Sequence, residues 1–211
     1  MRLAFFASGS GTNAGAIFDA IERKQLPAEA VLLVSDRPNA GALARARARD
    51  VPTAVISPDD YADEGAFAAA LLDVLAQHEA DTVALAGYLR KIPDPVVWAF
   101  GGRMLNVHPS LLPAFGGAGM YGRRVHEAVL AYGCRLSGAT VHFVDAGLDT
   151  GPVVLQEAVE VRPDDTVETL AAAVLAVEHD LLPRALRLLA AGRLHVDGRR
   201  VRIDGDPTSF R

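Results

Sequence analysis

The chain has 211 residues, which at roughly 100–200 residues per domain predicts one compact unit. Half of the residues are hydrophobic and 22% are charged, enough apolar surface to exclude a disordered chain. Lys and Arg number 21 against 26 Asp and Glu, a net charge of −5 with no block of like charges, which excludes a broad nucleic-acid-binding face and leaves room for a local anion pocket.

Leu3 to Ala7 form the first apolar stretch. At five residues it is shorter than the ~7–15 of a secretory signal, and no run reaches the ~18 of a membrane span. Cys134 is the lone cysteine, which excludes an internal disulfide and any multi-cysteine metal site and is expected to serve packing in a reducing compartment. The expected location is cytoplasmic.

Short apolar runs alternate with helical patterns, predicting a single-domain α/β fold with a mainly parallel twisted sheet covered by helices on both faces. Strands are expected over 3–7, 31–35, 53–56, 82–86 and 104–107. Helices are expected over 13–23, 40–50, 65–78 and 96–100, the last opening with prolines. Residues 109–122 are rich in Pro and Gly and lack periodicity, a length of loop that is functional or mobile in compact domains. A helix over 123–132 and strands over 139–144 and 153–161 follow, the strands flanking a turn-rich loop over 145–152. A long helix from near Thr166 should bend or break at Pro183, and a small hairpin over 194–203 turns at Asp197-Gly198.

Three constellations can carry chemistry. Ser8-Gly-Ser-Gly-Thr-Asn13 lies between the first strand and first helix, where free N–H groups with the Thr12 and Asn13 side chains can cradle an anion. The plain reading is a capped glycine turn. Gly9, Gly11 and Ala14 also satisfy G-x-G-x-x-A with Asp36 ending the second strand, which keeps a nicotinamide-dependent oxidoreductase open on these residues. Asn106 and His108, two apart at the end of a strand, share one side of it and pair an amide donor with an imidazole. Asp149, in Leu148-Asp-Thr-Gly-Pro152, reaches them only through the fold. If it does, it should orient His108 and raise its pKa.

Taken with Ala86-Gly-Tyr-Leu-Arg90, Asn106 to Pro113, Gly119-Met-Tyr-Gly122, Thr140 to Val144 and Glu178-His179, these segments resemble the phosphoribosylglycinamide formyltransferases in order and spacing over nearly the whole chain. The resemblance implies a Rossmann-like formyltransferase fold over 1–211, with a phosphate- and ribonucleotide-binding half (1–100) and a catalytic and folate-binding half (101–211). It implies transfer of the formyl group of 10-formyltetrahydrofolate to the amine of 5'-phosphoribosylglycinamide in purine biosynthesis, with no metal.

Carried over by position, Asn106, His108 and Asp149 are the catalytic trio. Gly11, Thr12, Asn13 and Glu178 hold the ribonucleotide. Tyr88, Leu89, Arg90, Lys91, Ile92, Val97, Asn106, Val144 and Leu148 line the folate site. Glu64 and Leu175 depart from the pattern, leaving Arg90 as the expected partner of a folate carboxylate and fewer contacts to phosphate. Lys91 and Arg123 are the cations that could compensate, and neither is counted on to do so. His142 is expected in the core close to the site, His126, His179, His78 and His195 on helix surfaces or ends, and Trp98 in the core beside the folate pocket.

The expected partners are small-molecule substrates, with no nucleic acid and no membrane, and the expected state is a monomer or weak homodimer. Relatives sharing the motif, methionyl-tRNA formyltransferase and formyltetrahydrofolate hydrolase, resemble the chain but carry additional domains that 211 residues do not accommodate. Another formyltetrahydrofolate-using transferase or hydrolase remains the nearer alternative and the oxidoreductase the more distant one.

Overall fold

The structure, a computed structural model, describes residues 1–205; the final six residues of the expected 1–211 domain lie outside the described part. Seven strands form one sheet in the order β3-β2-β1-β4-β5-β6-β7. They are β1 (Arg2–Phe6), β2 (Glu29–Ser35), β3 (Thr53–Val55), β4 (Thr82–Leu85), β5 (Met104–His108), β6 (Leu136–Phe143) and β7 (Val153–Glu160). The first five pair in parallel, and β5–β6 and β6–β7 are antiparallel.

The alternation of β1 shows why the sheet is interior. Leu3, Phe5 and Ala7 enter one apolar cluster with helices α1 (Thr12–Glu22), α2 (Gly41–Arg47), α5 (Arg123–Tyr132) and α6 (Val167–Ala190). Ala4 and Phe6 enter the other, against α3 (Glu64–Gln77) and α4 (Asp94–Ala99). Strands buried on both faces read as continuous apolar runs. β8 (Leu194–Asp197) and β9 (Arg200–Ile203) form the expected hairpin.

β1 is followed by β2 on one side and has β4 on the other, so the order reverses there. Crevices outside the carboxyl ends of strands open at such a reversal. The loops after β1 and β4 are tied together by Ser8 N–H donating to Gly87 C=O (3.0 Å) and Leu89 N–H donating to Ser8 Oγ (2.9 Å).

Three expectations are corrected. Pro183 does not break α6, which continues to Ala190; it is buried on the core face, and packing there outweighs the loss of one i→i−4 hydrogen bond. Trp98 is not core: it is 70% exposed, while Val96 and Val97 of the same short helix are buried. β6 begins at Leu136, before the expected Ala139, because its pairing with β7 extends to Leu136 opposite Glu160. Gly138 sits in that extension where a Cβ would fall 2.1 Å from Glu157 C=O. No helix among the described residues is long and apolar enough to cross a membrane.

Candidate active site

One cleft of about 740 Å³ runs along the carboxyl ends of β1, β4 and β5, lined from the first half of the chain and the second. Cavities of ~300–1,000 Å³ suit small-molecule ligands. At one end lies the glycine loop. Gly11 adopts the left-handed conformation (φ 71°), and a Cβ there would meet Ala42 Cα at 2.5 Å, so only glycine lets the loop pass α2. No side chain caps α1, and its leading N–H groups are left for an anion.

Asn13 Nδ2 donates to Glu178 Oε2 at 2.6 Å, joining the first helix to the last. Burial pushes the Glu178 carboxyl up to about 7, against the lowering effect of the Asn13 bond. Asn13 Oδ1 is buried without a hydrogen-bond partner. Gly11, Thr12, Asn13 and Glu178 therefore meet at one end of the cleft.

At the centre, β5 delivers Asn106 and His108, and the loop after β6 delivers Asp149. Asp149 Oδ2 lies 3.4 Å from His108 Nδ1 and accepts from Gly117 N–H at 2.9 Å. The trio expected from sequence is joined by His142, which stands opposite Asn106 in the antiparallel β5–β6 pair. Asn106 Nδ2 is 3.1 Å from His142 Nε2, and Asp149 Oδ1 is 3.7 Å from the same nitrogen.

Carbonyls fix both tautomers, because a carbonyl oxygen only accepts. His108 Nε2 donates to Phe115 C=O (2.8 Å), leaving Nδ1 toward Asp149. His142 Nδ1 donates to Phe143 C=O (2.8 Å), so its Nε2 accepts from Asn106.

The expectation of a raised His108 pKa is corrected. Burial is the largest influence and, with nearby His142, outweighs the raising effects of Asp149 and the Phe115 carbonyl. The His108 pKa therefore lies below its ordinary value. Asp149 is subject first to burial, which would raise its pKa, but His142, His108 and the Gly117 N–H together hold it below the ordinary carboxylate value.

Asp149 is itself left-handed (φ 57°), a conformation Asp tolerates better than most residues. Its loop is braced by Asp145 Oδ1, which accepts from Gly147 N–H (3.1 Å) and Thr150 Oγ1 (2.6 Å), and by Arg199, which donates to Thr150 C=O (2.9 Å). Residues 109–122 are also anchored. Thr140 Oγ1 donates to Ser110 C=O and accepts from Leu112 N–H, and Gln156 Nε2 donates to Leu112 C=O.

At the far end, Tyr88, Leu89, Arg90, Lys91, Ile92, Val144 and Leu148 line the cleft. Val97 does not; it is buried in the core with Val96 and Phe100, because α4 turns it inward. Burial, reinforced by nearby Asp36, pushes the Tyr88 phenol up. Arg90 is already committed: Nε donates to Asp36 Oδ2 (3.1 Å) and Nη2 to Asp59 Oδ2 (2.9 Å).

The Asp36 side chain is fully buried, with Oδ2 held by Arg90 at 3.1 Å and Arg37 at 3.7 Å and Oδ1 buried without a partner, so it does not present a carboxylate to a ribose. The residue on which the oxidoreductase alternative depended is thereby removed. Lys91 pairs with Asp94, and Arg123 pairs with Glu127 and Glu168. Leu175 lines the cleft without supplying a cation.

His126, expected on a helix surface, is 5% exposed and lines the cleft because α5 turns it toward the site. Sequence reading put His142 in the core close to the site and gave it no role there. Strand pairing places it there, and the signal that could have found it is its alternation with Thr140 on an antiparallel neighbour of β5. Among the described residues no group of three His, Cys, Asp or Glu is placed to hold a metal ion.

Residues 1–186 match the family described as formyl transferase. The chain is 39% identical to the phosphoribosylglycinamide formyltransferase of Bacillus subtilis, over 89% of this chain and 94% of that one. It is 40% identical to the trifunctional purine biosynthetic protein adenosine-3 of Bos taurus, over 94% of this chain but 19% of that longer one. Glycinamide ribonucleotide transformylase 1 from Symbiobacterium toebii superposes with a TM-score of 0.91 at 45% identity, covering 96% of this chain and 93% of the other. This chain belongs to the formyl transferase family.

Proposed function

We propose that the chain transfers the formyl group of 10-formyltetrahydrofolate to the primary amine of 5'-phosphoribosylglycinamide, in purine biosynthesis. The observation that carries this reading is the convergence of Asn106, His108, His142 and Asp149 midway between an anion-binding glycine loop and an apolar recess, in a member of the formyl transferase family.

The first N–H groups of α1, from Gly11 through Asn13, take the phosphate, and Glu178 meets the ribose hydroxyls. Tyr88, the Leu89–Ile92 backbone, Val144 and Leu148 wall the folate. The recess suits a flat aromatic ring, having apolar walls and backbone groups at its edge.

Asn106 lies where the attacked carbonyl oxygen gains negative charge. As the amine nitrogen bonds to the formyl carbon, Asn106 Nδ2 donates to that oxygen, a contribution typically worth ~2.7–4 kcal/mol. Asp149 receives the proton shed by the amine, directly or through water. His108, its pKa held below the ordinary value by burial, turns Nδ1 toward Asp149 and can take up that proton there while Nε2 donates to the Phe115 carbonyl. The bond from the formyl carbon to N10 then breaks and the proton is returned to N10. Such general acid–base assistance contributes ~10²–10⁴-fold.

His142 keeps the Asn106 amide oriented by accepting one of its hydrogens. Arg90, bound by two carboxylates, can meet a folate carboxylate only by exchanging Asp59, which is the exposed partner.

The half-buried single cysteine suits a cytoplasmic setting, and the proposed state is a monomer or weak homodimer working on small molecules. The test is an absorbance assay of folate product with glycinamide ribonucleotide present or omitted. Product only in its presence supports transfer. Equal product without it would assign the chain to hydrolysis instead.

A further inference from the structure

A second cavity, of about 540 Å³, lies between α1, α2 and α6, on the side of the glycine loop away from the catalytic cluster. Its walls carry Arg23, Arg45, Arg49 and Arg187, with His179 among them. The two acids present are already engaged: Asp19 with Arg49 (3.0 Å) and Asp180 with Arg184 (2.9 Å). Neither the Arg23 nor the Arg187 guanidinium is paired with a carboxylate among the described residues.

Arg45 spends only Nε, donating to Ser10 C=O at 2.9 Å, and its Nη1 lies over Gly15, where an added Cβ would sit 3.7 Å away. Facing it, His179 Nε2 is buried with no hydrogen-bond partner. Burial first, and then the Arg45 charge, hold the His179 pKa below its ordinary value.

We propose that this cavity is a binding site for a small multiply charged phosphate anion, held by Arg23, Arg187 and the free Nη groups of Arg45, with the His179 ring close enough to sense its charge. Guanidinium forks match phosphate oxygens two at a time, and three unsatisfied forks around one void favour linked phosphoryl groups over a single one. The site is distinct from the glycine loop, but the two share Thr12 in their linings and Arg45 through its bond to Ser10. Its occupancy therefore bears on the Arg45 side chain that braces the loop.

The test is titration of the full-length chain with inorganic pyrophosphate, and in parallel with orthophosphate. It is followed by calorimetry and by the His179 imidazole resonances, assigned with His179→Gln. Expected are saturable binding of pyrophosphate tighter than orthophosphate and an upward move of the His179 pKa. Affinity should fall at least about tenfold in Arg23→Ala/Arg187→Ala and change little in Asn13→Ala. Both arginines are exposed, so the double variant should keep its fold. The proposal is overturned by an absence of saturable binding, by binding that the double variant retains in full, or by binding lost in Asn13→Ala with His179 unmoved, which would place the anion in the glycine loop alone.

Discussion

The Asp149 carboxylate stands 3.4 Å from His108 Nδ1 and 3.7 Å from His142 Nε2, so one acid faces two imidazoles. Both rings have their other nitrogen fixed by a backbone carbonyl, His108 by Phe115 and His142 by Phe143. His108 Nδ1 is thus turned toward the carboxylate, while His142 Nε2 accepts from Asn106 at 3.1 Å, and neither ring is free to rotate.

Asn106→Ala removes the amide donor proposed for the developing oxyanion. The expected result is a fall in kcat of ~10²–10³-fold, from a loss of ~2.7–4 kcal/mol. KM for the ribonucleotide should change little, because Asn106 sits apart from the glycine loop. Steady-state kinetics check both numbers.

Glu178 links stability to pH. Its ordinary pKa is 4.5 and burial raises it to about 7 in the folded chain. The folded state therefore holds a proton that the unfolded state releases. This contribution is fully present below pH 4.5 and is lost as pH rises through 7, with a size on the order of 3 kcal/mol. Urea denaturation of wild type and Glu178→Gln between pH 4.5 and 8 should show that fall in the wild type and a flatter profile in the variant.

Gly11→Ala forces a side chain into a left-handed position with its Cβ 2.5 Å from Ala42 Cα, which is backbone and cannot rotate away. The expected cost is about 2–4 kcal/mol, or a Tm lower by roughly 5–10 °C, with a raised KM for the ribonucleotide. Calorimetry and kinetics report on each.

His108 should titrate below 6.5 in wild type, because burial outweighs Asp149. Asp149→Asn removes an influence that raises the His108 pKa, so the imidazole should titrate lower still. Histidine NMR across pH 4.5–8 reads the direction.

The strands that pack on both faces were legible because burial on two sides demands unbroken apolar runs such as Leu3 to Ala7. Asn106 and His108 were legible from alternation at a strand end. Less so were features that depend on which strand neighbours which. His142 enters the site only through its antiparallel register with Asn106, and β6 gains Leu136 to Gly138 only through pairing with β7.

Pro183 and Trp98 went against local expectation for the same reason. Packing on the core face keeps a proline inside α6, and the short α4 turns Val96 and Val97 inward and leaves the indole outside. The direction of the His108 pKa was set by burial, a quantity that a motif does not carry. Asp149 was readable from the family resemblance rather than from its own turn.

The most direct measurement is the single-turnover rate of Asp149→Asn beside its dissociation constant for the ribonucleotide. The account predicts a rate lower by ~10²–10⁴-fold with the dissociation constant within about threefold of wild type, because the carboxylate moves protons and does not hold the sugar phosphate. A variant that turns over at the wild-type rate would contradict it.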